Sequence, residues 1–425
     1  MPKKKSSPRK KNDKKSSFIS ITIALVVILL GIVVVFGFIK NRLMTNELSK
    51  NLASDWNAYI TNKPNFHGGV AMQILSPKGD YFISSNMGQG MNNRYHFRTA
   101  SVSKTFTAAA IMLLHQKKLL NIDDTITDSI PGTKDPYLPE TEEYDIPYKN
   151  EITIRMLLMH RAGVFDISNN PIPENRFSFN KPYVGQSYLR YMEKYDPNHT
   201  FTFDELVGVV ADNQVSFFKP GEKYHYSDTG YSILGKIIER VSQKSYAEFV
   251  KESLLIPNGL TSTTVTTDGT DQTMPEPFTR GYDWADGQIE DVTHSNMSPH
   301  VAEGSVTTTP HDLALWAKRL FTGQAGLTKE TVQMMMDACT STGGEATSAG
   351  AYGLGLLCSK NGYGHNGAHE GYLSNMVYNP KTDTSYVIFT NIWNCQTCAT
   401  DLESLKGELK VMDEITSNVL QKLGY

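Results

Sequence analysis

Cysteine is scarce in this chain of 425 residues: Cys339, Cys358, Cys395 and Cys398 are the full set, and none precedes Cys339. So late a cluster, with one close pair, argues against a four-cysteine zinc site and against a Cys-x-x-Cys redox role. In an oxidising exterior the four could form up to two disulfides, with three connectivities open. Ligand spacing is missing as well. His294, His300 and His369 have no acidic partners at metal-binding intervals, so neither a metal nor another cofactor is expected. No internal repeat is visible. Excess charge of one sign is absent overall, at a formal net −3. Beyond the first 17 residues the chain is net −10, which argues against a nucleic-acid-binding surface.

What is present begins at the N-terminus. Residues 1–17 form a basic tail with eight Lys or Arg against one Asp. The next 22 residues, Phe18 to Ile39, are uncharged and mostly apolar. A helix of that length reaches roughly 33 Å, enough for a bilayer core. No small-x-small cleavage site follows, so an uncleaved signal anchor is the expectation. The positive-inside rule then puts residues 1–17 in the cytoplasm and everything after Lys40 outside the cell. Residues 40–45 read as a linker. Residues 46–425 read as one domain, 40% hydrophobicity in the whole chain being ample for a core.

Ser101-Val102-Ser103-Lys104 is the most informative stretch. It follows a strand-like run, Tyr95 to Arg98, and opens a long apolar helical run from Thr105 to Leu120. Positions i and i+3 share a helix face, so the amine can reach the hydroxyl. A helix start also supplies free N–H groups and a positive dipole end, which favour an oxyanion. Ser-x-x-Lys recurs at Ser7/Lys10, Ser178/Lys181 and Ser216/Lys219, but none of those opens a long apolar helix.

Two further segments add chemistry. Tyr226-Ser227-Asp228 precedes a helical run to Val241, and His365-Asn366-Gly367 lies in a Gly-rich run beside strand-like segments. In this order the three elements resemble the serine β-lactamase and penicillin-binding protein superfamily, in its class C branch of carboxypeptidases, esterases and D-aminopeptidases. Leu157-Leu158-Met159-His160-Arg161-Ala162-Gly163, Pro257-Asn258-Gly259-Leu260, Tyr352-Gly353-Leu354-Gly355 and Ile388-Phe389-Thr390-Asn391 carry the resemblance from about residue 65 to 395.

The resemblance implies an α+β, β-lactamase/transpeptidase-like fold: a five-stranded antiparallel sheet with flanking helices, plus an all-helical lobe. The sheet lobe would take residues 46–120 and 345–425, and the helical lobe 121–344. It implies Ser101 as nucleophile, with Lys104 and Tyr226 as the candidate bases. Asp228, His365, Asn366 and Gly367 would bind substrate or support the site, and the backbone N–H groups of Ser101 and Ala368 would form the oxyanion hole. His160 would be structural.

Two residues depart from the family pattern. Asp228 stands where the class C branch has Asn, and His365 where it has Lys. A carboxylate replaces an amide, and a titratable group replaces a fixed cation. Both changes disfavour substrates bearing a carboxylate near the reacting bond, and so favour esters, amides or aminopeptides. Arg161 could offset the change. If Asp228 lies beside Lys104 it keeps the amine protonated, leaving Tyr226 as proton acceptor. His365 could orient Tyr226 or help proton transfer. The expected function is a membrane-anchored extracytoplasmic serine hydrolase working through an acyl-enzyme on a small-molecule or peptide substrate, with peptidoglycan peptides among the candidates. The alternative is a non-catalytic penicillin- or cell-wall-binding protein that kept the fold.

Overall fold

The computed structural model describes residues 1–3, 13–339, 351–394 and 402–425; the side chains of residues 4–30, 33, 34 and 401–403 lie outside that description. The chain opens with a long helix, α1 (Asp13–Ile60), then a hairpin of β1 (Val70–Ser76) and β2 (Gly79–Ser85) and a short strand β3 (Phe97–Arg98). A 3-10 turn, Ala100–Ser103, runs directly into α2 (Lys104–Gln116). Five helices follow: α3 (Ile154–Leu158), α4 (Tyr188–Tyr195), α5 (Phe203–Asn213), α6 (Asp228–Ser242) and α7 (Tyr246–Val250). Short strands β4 (Thr264–Val265), β5 (Tyr282–Ala285), β6 (Gln288–Asp291) and β7 (Val306–Thr308) lead to α8 (Pro310–Phe321) and α9 (Lys329–Asp337). The chain ends with β8 (Ala351–Tyr352), β9 (Leu357–Ser359), β10 (Gly362–His369), β11 (Tyr372–Asn379), β12 (Thr384–Thr390), β13 (Ile392–Asn394) and α10 (Leu402–Lys422).

The main sheet has the order β2-β1-β12-β11-β10-β9-β8, with every pair antiparallel. It is seven-stranded, not five-stranded. Five of its strands are long, the expected number; β9 and β8 add three and two residues at the β10 edge. Alternation along β1 sends Val70, Met72 and Ile74 to one face and Ala71 to the other. The first face is covered by α1 and α10 through Leu48, Leu52, Trp56, Met412, Ile415 and Val419. The second carries Phe389 and Val387 into the larger core with Phe97, Phe106 and Trp316.

Helix α2 is buried from Lys104 to Leu114, as an all-round apolar helix must be. It lies between the sheet edge at β10 and the helices α6 and α7. Helix α8 packs on β12, β1 and β11, so this part of the 121–344 span belongs with the sheet rather than with a helical lobe. The expected linker at residues 40–45 is helical, an uninterrupted part of α1. Among the described residues no helix is long and apolar enough to cross a membrane. Most side chains of the 18–39 stretch are outside the description, so the anchor rests on the sequence. Most of the basic tail lies outside it too. Cys339 and Cys358 form a disulfide, while Cys395 and Cys398 fall outside the described residues.

Candidate active site at the Ser101 helix

Ser101 sits in the 3-10 turn that feeds α2. Ala100, just before it, has φ 50°, a left-handed conformation that costs a non-glycine residue of order 1 kcal/mol and must be held by its surroundings. The holding contacts are visible. The Ser374 hydroxyl donates to Thr99 O at 2.8 Å, the Thr99 hydroxyl donates to Val306 O at 2.9 Å, and the Val306 N–H donates to Ser103 Oγ at 3.0 Å. Gly367 on β10 passes so close that a Cβ there would meet Thr99 O, with Ser374 Oγ at 2.8 Å and Ala100 Cβ at 3.0 Å. The glycine therefore lets the strand edge reach the turn that carries Ser101.

Lys104 is fully buried one turn on, and its Nζ lies 3.2 Å from Ser101 Oγ. The i, i+3 geometry read from the sequence is the one observed. The ammonium also meets Asp228 Oδ1 at 2.6 Å, Glu303 O at 3.0 Å and Glu303 Oε2 at 3.3 Å. Burial opposes the charge, but Asp228, Tyr226 and Glu303 together outweigh it and hold the Lys104 pKa well above its usual value. The carboxyl of Asp228 is penalised by burial in the same way, yet Lys104 and the Asn169 amide pull its pKa below normal. The result is a buried ion pair at the foot of the serine, and the expected proximity of Asp228 to Lys104 is observed.

Tyr226 comes from the loop before α6. Its ring stands 4.8 Å from Lys104 Nζ, and its phenol interacts with both Lys104 and Ser101. Burial drives the phenol's pKa well up, and the Lys104 ammonium is the main opposing influence. Local contacts fix this loop. Ser227 caps α6 by accepting from the Gly230 N–H, and the Ser227 N–H donates to His160 Nδ1 at 3.1 Å. The His160 ring packs on Tyr226 with centroids 4.2 Å apart. Burial keeps His160 neutral by lowering its pKa well below normal.

His365 is placed differently from expectation. Its Nε2 pairs with the Tyr352 hydroxyl at 2.9 Å and its Nδ1 with Asn366 O, while its centroid is 6.3 Å from that of Tyr226. It supports Tyr352 rather than orienting Tyr226. Burial, reinforced by Lys104, pushes its pKa down to about 3, so it is no cation at neutral pH. His365 and Asn366 line a small crevice on the far side of β10, with Asn375 and Asp413. Ala368 shares the main cavity with Ser101. Arg161 is not among the residues lining that cavity.

The cavity holds about 340 Å³ and opens over Ser101. Glu193, Asp196, Asp228, Glu303 and Glu370 line it against Arg190 as the one fixed cation in the lining. Glu193 is pushed up to about 7, first by desolvation and then by Glu370. Behind Asp228, the Asn169 amide donates at 2.8 Å to Oδ2 of both Asp228 and Asp166. Burial and then Asp228 raise Asp166 to about 7. Glu303, Asn169 and Asp166 were missed in the sequence. Glu303 stands 199 positions from Lys104, and its one local sign is a carboxylate within a run of small and apolar residues. Among the described residues no cluster of His, Cys, Asp or Glu is arranged to hold a metal ion.

A serine beside a buried lysine and tyrosine, on a sheet edge facing helices, is an arrangement that suits the serine acyl-transfer hydrolases. The chain belongs to the Beta-lactamase family, whose model matches residues 67–401. Penicillin-binding protein 4* of Bacillus subtilis (strain 168) is 32% identical over 170 residues, 40% of this chain and 30% of that protein. The chain thus matches well under two thirds of that relative's length. Two solved structures share the fold. D-amino acid amidase from Ochrobactrum anthropi SV3, complexed with L-phenylalanine amide, has a TM-score of 0.67 at 23% identity, covering 89% of this chain and 99% of the amidase. The D-stereospecific amidohydrolase from Streptomyces sp. has a TM-score of 0.64 at 24% identity, covering 81% of this chain and 94% of that one.

Proposed function

We propose that this protein is a membrane-anchored, extracytoplasmic serine hydrolase that cleaves amides or esters whose reacting end carries an amine rather than a carboxylate. The observation that carries the reading is the charge around Ser101. Two buried carboxylates, Asp228 and Glu303, flank Lys104, and the cavity lining has five acidic residues against Arg190. A substrate carboxylate would meet this field unfavourably, and an ammonium favourably. His365 supplies no compensating charge. The amidase activity named for two structural neighbours agrees with the reading.

In this mechanism Ser101 Oγ attacks the substrate carbonyl carbon as its proton passes to Tyr226 in its phenolate form, a minor species at neutral pH because burial raises the phenol's pKa. The Lys104 ammonium, held by Asp228, stabilises that phenolate and does not itself accept the proton. The oxyanion rests against the backbone N–H groups of Ser101 and Ala368. The C–N or C–O bond breaks as Tyr226 returns the proton to the leaving amine or alcohol. Water then attacks the acyl-enzyme by the same relay, and Ser101 regains its proton.

The test is hydrolysis of D-phenylalanine amide and a p-nitrophenyl ester, alongside labelling by fluorescent penicillin, with Ser101→Ala in parallel. Ser101-dependent amide and ester hydrolysis without penicillin labelling supports the proposal. Activity that survives in Ser101→Ala, or strong Ser101-dependent labelling by penicillin, contradicts it. The anchor is tested separately by carbonate extraction of membranes. A full-length protein released by carbonate is not membrane-spanning.

A further inference from the structure

Glu303 is a buried carboxylate with both oxygens engaged. Oε2 lies 3.3 Å from Lys104 Nζ, and Oε1 pairs with Nδ1 of His300. Its backbone carbonyl takes a second proton of the same ammonium at 3.0 Å. His300 Nδ1 stands at one end of this chain and Ser101 Oγ at the other, and both residues line the cavity. The His300 side chain is 18% exposed, against 4% for Glu303, so the imidazole is the member of the pair that senses the cavity. His300 is faced by Glu303, by Asp228 and Glu193 across the cavity, and by the His369 ring with centroids 5.3 Å apart. Desolvation opposes its charge, but Glu303 outweighs this and raises its pKa. The proton on His369 is disfavoured, by burial first and then by His300.

We infer that Glu303 is a positioning residue for Lys104, and that His300 couples this hold to the contents of the cavity. One carboxylate serves two cations. With His300 charged, Glu303 divides its field between the imidazolium and the ammonium. With His300 neutral, the full carboxylate acts on Lys104. Lys104 and Tyr226 titrate as a pair, so charge added or removed beside Lys104 displaces the whole activity profile along the pH axis. Removing the negative charge of Glu303 displaces it to lower pH. Removing the positive charge of His300 displaces it to higher pH, within the range where the wild-type imidazole is charged.

The inference rests on the hydrolase reading, and the experiment separates the two. The pH dependence of kcat for p-nitrophenyl ester hydrolysis is measured for wild type, Ser101→Ala, Glu303→Gln, Glu303→Asp and His300→Gln. For Glu303→Gln, kcat falls about 100-fold through misplacement of Lys104, and the ascending limb moves down on the order of one pH unit. Glu303→Asp restores the limb and part of kcat. His300→Gln keeps kcat within about tenfold of wild type and moves the limb upward. Limbs that stay in place, or move in the same direction in Glu303→Gln and His300→Gln, overturn the inference while Ser101→Ala remains dead. An active Ser101→Ala overturns the hydrolase reading itself. Near-UV circular dichroism monitors folding. If Glu303→Gln does not fold, the His300→Gln limb decides alone, an unmoved or lowered limb overturning the coupling.

Discussion

The two sides of Ser101 differ in their buried charge. On the β10 side His365 is buried, neutral and bonded to Tyr352. On the helical side Asp228 and Glu303 grip Lys104 within 2.6 and 3.3 Å, and the charges are fixed by one another. His365 does not line the cavity and adds no charge to it; the sheet side contributes Ala368, His369 and Glu370 to the lining. Gly367 allows close backbone approach there, and the helical wall supplies four of the five acidic residues of the lining, Glu193, Asp196, Asp228 and Glu303. A lining that is acidic mainly on one side can discriminate between ammonium and carboxylate groups without a dedicated pocket for either.

The largest break of this contrast is Lys104→Met. It leaves Asp228 and Glu303 buried without their shared cation, and such removals cost about 3–5 kcal/mol. Urea melts should show that loss, along with loss of hydrolysis. Lys104→Met combined with Asp228→Asn should recover part of the stability and none of the activity.

Gly367→Ala tests the other wall. Its methyl would meet Thr99 O, and overpacking typically costs about 1–3 kcal/mol. Because the displaced turn carries Ser101, kcat should fall more than KM rises.

Asp228→Asn sharpens the comparison instead of breaking it. It removes negative charge from the helical wall, so kcat/KM should fall for free-amine amides and rise, relative to them, for substrates bearing a carboxylate. The folded-state pKa of Asp228 is lowered, so its carboxylate stabilises the fold above the unfolded value and that contribution is lost as pH falls through the folded value. The stability gap between Asp228→Asn and wild type should therefore narrow in acid.

The smallest effect belongs to His365→Gln, which removes the Tyr352 bond at a cost of about 1 kcal/mol. His365 titrates at about 3 in the fold, well below the unfolded value, so the unfolded state binds its proton first. Wild type loses stability from this residue as pH falls below the unfolded value, and His365→Gln does not. Its deficit should shrink or reverse near pH ~4, while the pH–rate profile between pH ~6 and ~8 stays unchanged.

These contrasts also explain what could be read from residues alone. Ser101 and Lys104 are local: one helical turn and an apolar run define them. Tyr226, Asp228 and Gly367 were reached through ordered motifs, and Gly367 has its reason in the approach to Thr99. The orientation of His365 was not legible, because Tyr352, its partner, is set by the pairing of β8 with β9 and β9 with β10. Glu303 was invisible because an ion pair across 199 positions leaves no periodic trace. The 40–45 segment read as a linker for want of a strong pattern, yet Leu43 and Met44 are helix formers that continue the same helix.

The most direct test of the account compares kcat/KM for D-phenylalanine p-nitroanilide with its free amine against the N-succinyl derivative, in wild type and Ser101→Ala. Ser101-dependent hydrolysis that favours the free amine is the expected result. Preference for the succinylated substrate, or hydrolysis that persists in Ser101→Ala, would contradict it.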